Sequence, residues 1–355
     1  MPLRVIQWGT GNVGAFTLRC LIEHPEIELA GVWVHSDAKA RVDAGELCGL
    51  RRTGIRATND VDAILELDAD CVCYTATADL RPFEAIEDIA RILASGKDVV
   101  SCSVVPLVHP KSFLPDVRDR LAQACADGGT SLLVTGIDPG FANDILPLTL
   151  TGLAGSWTQL RILEIINYAT YNQPTVLFET MGFGKPLSET PLLLTPGTLE
   201  FAWGGTVRLL AEGLGVTLDA ITSSYEKRPV ERALTVCGRP VDVGTMGALR
   251  FEIQGVVGGR PAIIVEHVTR LDDALAPDWP SGNGSYRVEI KGFPNMSCEL
   301  EFEDEKGDHA IGGVLLTATR LVNAIPAVCA APPGLLSALD LPLVTGRGLY
   351  RAGPK

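Results

Sequence analysis

The stretch "RVIQWGTGNVGAF", residues 4–16, decides the fold. Val5, Ile6 and Trp8 form an apolar run that reads as a short buried strand. Gly9, Gly11 and Gly14 follow in G-x-G-x-x-G spacing. The next segment, "AFTLRCLIEHP", places Phe16, Leu18, Leu21 and Ile22 on one side of a helix. Strand, glycine loop, helix is the context in which this spacing signals a dinucleotide site. Gly9 permits the tight turn, Gly11 lets backbone approach a pyrophosphate, and Gly14 lets the helix pack closely on the strand. The helix N-terminus offers N–H groups and partial positive charge to phosphate. Thr10, Asn12 and Val13 complete the candidate loop.

Working outward, residues 1–141 alternate strand and helix patterns. Strand signals lie at 27–36, 68–78, 98–107 and 130–141, with helical ones at 84–97 and 113–129. Such alternation predicts α/β architecture: a Rossmann-type, doubly wound parallel sheet. Ligands bind beyond the C-terminal ends of these strands. That singles out Thr75, Ala76 and Thr77, then Ser101, Cys102 and Ser103, then Thr135–Phe141.

From about residue 160 the texture is strand-rich, and "VRLLAEGLGV" (207–216) reads as strand-like with the rest. "GALRFEIQGVVGGRPAIIVEHVT" reads as a hairpin turning at Gly258-Gly259. Residues 142–310 are therefore expected to form a second, α+β domain with a mainly antiparallel sheet, for substrate binding and dimerisation. "IGGVLLTATRLVNAIPAVCAAPPGLLSAL" reads as a long apolar helix from about 311, broken near Pro326. The returning helical segment 311–345 is expected to complete the first domain.

The chain has 355 residues, 46% of them hydrophobic, and a formal net charge of -13. That charge argues against nucleic acid, which needs a clustered basic face, and against an anionic membrane surface. No secretory signal pattern opens the sequence, and no apolar run is read as approaching the about 18 residues of a membrane span. Cysteines at 20, 48, 71, 73, 102, 125, 237, 298 and 329 form no C-x-x-C and read as free thiols of a cytoplasmic protein. The histidines at 24, 35, 109, 267 and 309 show no metal-ligand spacing, so no metal site is expected.

NAD binders place a carboxylate at the end of the second strand, about 20 residues past the glycines. Here that place reads Val34-His35-Ser36-Asp37, followed by Lys39 and Arg41. A hydroxyl and two cations suit a 2′-phosphate, so NADP is favoured; Asp37 keeps NAD open. His35, Ser36, Lys39 and Arg41 are the candidate contacts.

"QWGTGNVG", "GKDVVS", "TGIDPGF", "MGFG" and "VNAIP", in this order, resemble the amine dehydrogenase and 2,4-diaminopentanoate dehydrogenase group, often labelled dihydrodipicolinate reductase-like. The resemblance covers nearly the whole chain. It implies a Rossmann domain, a second domain that dimerises through its sheet, and NAD(P)H. The implied reaction is reductive amination of a ketone or aldehyde with ammonia, or the reverse. The group carries a glutamate in the loop after "VVS" that handles amine protons. Here the loop reads Ser101-Cys102-Ser103-Val104-Val105-Pro106, with no carboxylate.

The remaining candidates follow from that gap. Phe141 could lie over the carbonyl or imine, or simply pack in the core. Asn323, polar in an apolar helix, could hold the nicotinamide amide or cap a kink at Pro326. His267 points away from Glu266 and Val268 by strand alternation, as a pocket residue or proton donor, or as a structural histidine of the strand. Tyr168 and Ser103 are placed in the pocket. Glu179, if buried with a raised pKa, could replace the missing glutamate, or it is a surface helix carboxylate. Two rivals stand beside amine dehydrogenation: a ketone or imine reductase without ammonia, and a non-catalytic NADP-binding protein.

Overall fold

The computed structural model describes residues 2–78 and 81–351. In chain order the first stretch contains β1 (Leu3–Trp8), α1 (Asn12–Glu23), β2 (Ile27–Trp33), α2 (Ala44–Leu47), α3 (Val61–Leu65), β3 (Cys71–Tyr74), α4 (Pro82–Ala94), β4 (Asp98–Ser101), α5 (Pro115–Gly128) and β5 (Ser131–Val134). Next come α6 (Ile145–Thr151), β6 (Ser156–Asn167), α7 (Thr198–Leu214), β7 (Ala220–Pro229), β8 (Leu234–Val236) and β9 (Arg239–Val241). The chain continues through β10 (Met246–Val257), β11 (Arg260–Arg270), β12 (Ser285–Phe293), β13 (Met296–Glu301), α8 (His309–Cys329) and β14 (Gly334–Leu336). It divides into two compact units, one up to Phe141 together with the return from Val314, the other Ala142–Gly313.

The first unit is a six-stranded sheet in the order β14-β5-β4-β3-β1-β2. Every pairing is parallel. β3 and β5 are buried along their whole length because both faces of the sheet are covered. On one face Leu18 and Leu21 of α1 and Leu321, Ala324, Ile325 and Val328 of α8 pack against Val5, Val32, Cys73, Val100 and Leu133. On the other, α4 and α5 bring Ile86, Ile89, Leu93 and Leu121 against Ile6, Trp8, Val72, Tyr74 and Leu132. The chain leaves β1 toward β2 on one side and returns to β3 on the other. This topological switch opens a crevice at the strand ends, where such sheets bind ligands.

Four expectations change in this unit. The second strand stops at Trp33, so His35 and Ser36 belong to the loop beyond it. The last helix does not break at Pro326; α8 runs through it to Cys329. Proline removes one helical hydrogen bond, and burial of Ile325 and Val328 on either side holds the helix together. Residues 330–345 are not helical throughout, since β14 pairs with β5 at the sheet edge. Contrary to the sequence reading, α8 is long and apolar enough to cross a membrane by length and composition alone. Ala318, Leu321, Ala324, Ile325 and Val328 of this helix are fully buried, as in a core helix.

The second unit holds a six-stranded sheet in the order β13-β12-β6-β11-β10-β7, and a small β8–β9 pair. Only β6–β11 is parallel; the other pairings of the large sheet are antiparallel. β10 and β11 form the expected hairpin, with Gly258 and Gly259 at φ 60° and 73°. Two successive positive φ values make the tight turn that matches strand twist, and glycine adopts them freely. "VRLLAEGLGV" is not a strand but the end of α7, whose Leu199, Val207, Leu210 and Ala211 are buried in the core cluster of this unit. The helical period shows only when the segment is joined to the residues before it.

Candidate active site

The glycine loop connects β1 to α1 at the switch point. Gly9 has φ 93°, a conformation that excludes most side chains, and a Cβ there would stand 3.0 Å from the Ala76 nitrogen. At Gly14 a Cβ would overlap the Gly9 oxygen and lie 2.7 Å from Thr75 Oγ1. Gly11 differs. Its φ is −74°, and nothing lies within 4 Å of where its Cβ would stand. Neither backbone conformation nor packing requires glycine at this position. The open space fits a pyrophosphate on the backbone, at a helix N-terminus that no side chain caps.

Buried Gln7 and Thr75 hold the loop from beneath. Gln7 Nε2 donates to the Gly9 oxygen and to Thr75 Oγ1, both at 2.8 Å. Thr75 Oγ1 donates in turn toward the Trp8 and Gly9 oxygens at 3.1 and 3.2 Å. Ser103 Oγ donates to the Ala76 oxygen at 2.5 Å, and Ser103 N–H donates to Ser101 Oγ at 2.9 Å. The loops after β1, β3 and β4 are thereby tied into one rim, which brings together the candidates at 9–14, 75–77 and 101–103.

Beyond β2, His35, Ser36, Lys39 and Arg41 are exposed. Lys39 Nζ donates to the Thr10 oxygen at 2.7 Å, which puts an ammonium group against the glycine loop. Asp37 Oδ1 accepts from Asn59 Nδ2 at 2.6 Å. On α8, Asn323 lies farther along. It lines a cleft of about 470 Å³ with Cys20, Glu23 and His24 at the far end of α1. It also lines a smaller one of about 180 Å³ with Phe141. The Arg320 guanidinium sits 5.9 Å from the centre of the Phe141 ring. Asn323 is thus grouped with Phe141 and not with the glycine loop residues.

In the second unit the register builds a row across the sheet. Glu164 on β6 stands opposite His267 on β11 and Tyr286 on β12, and His267 stands opposite Phe251 on β10. His267 Nδ1 is 3.4 Å from Glu164 Oε1. Tyr168 OH donates to Glu164 Oε1 at 3.0 Å and Tyr286 OH to Oε2 at 2.7 Å. The His267 ring stacks on Phe251 at 4.6 Å and meets the Trp203 ring at 4.8 Å. Burial by itself would raise the Glu164 carboxyl; His267, Tyr286 and Tyr168 together outweigh it and hold the group below the usual carboxylate range. Glu266 faces the other way, as alternation requires, onto Arg161 and Arg250.

Of the two readings of Glu179, buried acid or surface carboxylate, the structure shows the second. It is 61% exposed and paired with Arg239 at 3.6 Å, on a single π-helical turn, Thr175–Thr180. The buried carboxylate of this unit's apolar face is Glu164.

The model of the 2,4-diaminopentanoate dehydrogenase C-terminal domain matches residues 141–348. An amine dehydrogenase of Streptomyces virginiae is 41% identical over 347 residues, covering 96% of either chain. The chain belongs to the amine dehydrogenase and 2,4-diaminopentanoate dehydrogenase family. It is an oxidoreductase. The 2,4-diaminopentanoate dehydrogenase of Acetoanaerobium sticklandii is 24% identical, with 96% of this chain and 94% of that one covered. The structure of an amine dehydrogenase from Mycobacterium smegmatis superposes with a TM-score of 0.80 at 21% identity, covering 99% and 98% of the two chains, and shares the fold.

Val104 is buried and sits at φ 56°, ψ 56°, a left-handed conformation rare for a β-branched residue. Glu164 and Tyr286 were missed in the sequence reading. The available signal was a carboxylate at 164 in step with Leu160, Ile162 and Ile166, on the apolar face of its strand.

Proposed function

We propose that the chain is an NADPH-dependent amine dehydrogenase that condenses a small ketone or aldehyde with ammonia and reduces the product, or runs the reverse. The observation that carries this reading is the buried Glu164 carboxylate holding His267, Tyr168 and Tyr286, in a chain whose 101–106 loop has no acid. When bound, the reduced nicotinamide supplies the hydride. The chain's own residues do the rest. Backbone N–H groups of Gly9–Gly14 hold the pyrophosphate, with the Thr75–Thr77 and Ser101–Ser103 rim behind them. Ser36, Lys39 and Arg41 take the 2′-phosphate, and Asp37, engaged by Asn59, is the residue that would otherwise favour NAD.

Ammonia adds to the carbonyl carbon, and the carbinolamine loses water to leave the iminium that a bound nicotinamide would reduce. Loss of water needs a proton on the departing hydroxyl. With Nδ1 directed at Glu164, His267 exchanges protons through Nε2, and Glu164 fixes the ring. In the first unit Ser103 and Phe141 line the strand-end side, and in the second Tyr168 stands beside Glu164 and His267.

A homodimer through the second sheet fits its two faces. α6 and α7 pack on one face, and among the described residues no helix packs on the other, where Leu275, Ala276 and Trp279 meet Leu163 and Ile165. A reducing cytoplasm suits nine free cysteines.

The test is NADPH consumption with a panel of small ketones and aldehydes, with and without ammonium, for the wild type, Glu164→Gln and His267→Ala. Ammonium-dependent turnover lost in both variants is expected. Turnover without ammonium would make the protein a ketone or imine reductase, and tight NADPH binding without turnover a non-catalytic binder.

A further inference from the structure

The segment after β2 is folded back on itself by one carboxylate. Asp43 Oδ1 accepts from the Gly45 and Thr53 N–H groups at 2.9 Å each, and Oδ2 accepts from Gly54 N–H at 2.8 Å. Residues 41–44 run antiparallel to 55–57: Arg41 N–H donates to the Ala57 oxygen at 2.7 Å, Ala57 N–H to Val42 at 2.9 Å, and Ala44 N–H to Ile55 at 2.8 Å. Thr58 pairs with Trp33, so this ribbon lies along the end of β2. Within it Arg41 is held at φ 69°. A left-handed arginine persists only where its surroundings over-determine it, and such strain gathers at ligand sites. Arg52 pairs with Glu46 at 2.5 Å. No carboxylate among the described residues pairs with Arg41, Arg51 or Arg56. In a chain with 43 acidic and 30 basic residues, an exposed guanidinium without a carboxylate, two residues after the Lys39 that reaches the glycine loop, suits an outside anion.

We propose that Asp43 is a positioning residue for cofactor choice: without touching the cofactor, it clamps the 45–54 loop onto the ribbon and so holds Arg41 for the 2′-phosphate. This rests on the NADPH reading above. Because the ribbon is fixed before binding, Arg41 meets the phosphate with little ordering left to do.

The experiment measures dissociation constants for NADPH and NADH by cofactor fluorescence in the wild type, Asp43→Ala, Asp43→Asn, Arg41→Ala and the double variant Asp43→Ala/Arg41→Ala. Expected is a loss of about tenfold for NADPH in Asp43→Ala, with NADH within about threefold. The double variant should lose no more than Arg41→Ala, since both remove one effect. Equal loss of both cofactors, or additive losses in the double variant, overturns the inference. If Asp43→Ala does not fold, Asp43→Asn decides alone. It keeps the shape and loses the acceptor for Gly54, so its NADPH-to-NADH ratio must fall, and an unchanged ratio overturns the proposal. A wild type that prefers NADH, or Arg41→Ala with an unchanged ratio, defeats the NADPH reading itself. A ratio that moves in Arg41→Ala but not in the Asp43 variants defeats only the role of Asp43.

Discussion

Replacing Gly11 by alanine separates a residue kept for the ligand from one kept for the fold. The added methyl meets no atom within 4 Å. Its φ of −74° is ordinary for alanine. Gly11 is the N-cap of α1, and alanine caps less well than glycine, by up to about 1 kcal/mol. Loss of backbone freedom in the unfolded chain returns about 0.4–1 kcal/mol. The two nearly cancel, so stability should stay within about 1 kcal/mol of the wild type. Binding should not. A methyl on this backbone pushes the pyrophosphate away from N–H donors, and charged hydrogen bonds contribute about 1.5–3 kcal/mol each. Losing even one to two of them weakens NADPH by about 100-fold. Gly14→Ala is the opposite case: its methyl overlaps the Gly9 oxygen and presses on Thr75 Oγ1 at 2.7 Å, which costs about 1–3 kcal/mol of stability. Urea unfolding and NADPH fluorescence titration on the two variants decide the matter. A Gly11→Ala protein as unstable as Gly14→Ala, or one that binds NADPH like the wild type, would refute the reasoning.

Tyr286→Phe removes the 2.7 Å hydrogen bond to buried Glu164 and should cost about 1.5–3 kcal/mol in urea unfolding; an unchanged midpoint would show the bond to be dispensable. The Glu164 carboxyl is lowered in the folded protein relative to an unfolded value of about 4.3, so its contribution is complete above that pH and disappears as pH falls through the folded value. Below about pH 4.3, then, Glu164→Gln should flatten the acid limb of the stability profile, and an unaltered limb counts against the cluster. Cys20 and Cys125, both pushed up to about 11 by burial first of all, should resist iodoacetamide at pH 8 in the native protein and react on unfolding, as mass spectrometry would read. Sedimentation at micromolar concentration should show a dimer; a monomer would remove the sheet-pairing proposal.

Local sequence determined what depends on neighbours along the chain. The glycine loop was legible because strand, turn and helix are consecutive: Gly9 answers its own φ of 93°, and Gly14 the Gly9 oxygen one turn before it. The Gly258-Gly259 hairpin was legible for the same reason, since two adjacent positive φ values favour glycine. The doubly wound sheet followed from alternating periods. Tertiary structure decided whatever depends on register between distant strands. Glu164, His267 and Tyr286 lie up to 122 residues apart in the chain, and only the pairing of β6 with β11 and β12 sets them side by side. Glu179 has the same chemistry and was one candidate by sequence, yet its turn leaves it in water beside Arg239. Helix α8 passes through Pro326 because the sheet beneath it supplies the burial that local propensity lacks. Asp43 is one more loop aspartate until the backbone of residues 45–54 turns its N–H groups inward. In each case the deciding energy is burial or hydrogen bonding between segments that the linear order keeps apart, and only the assembled fold brings those segments within reach.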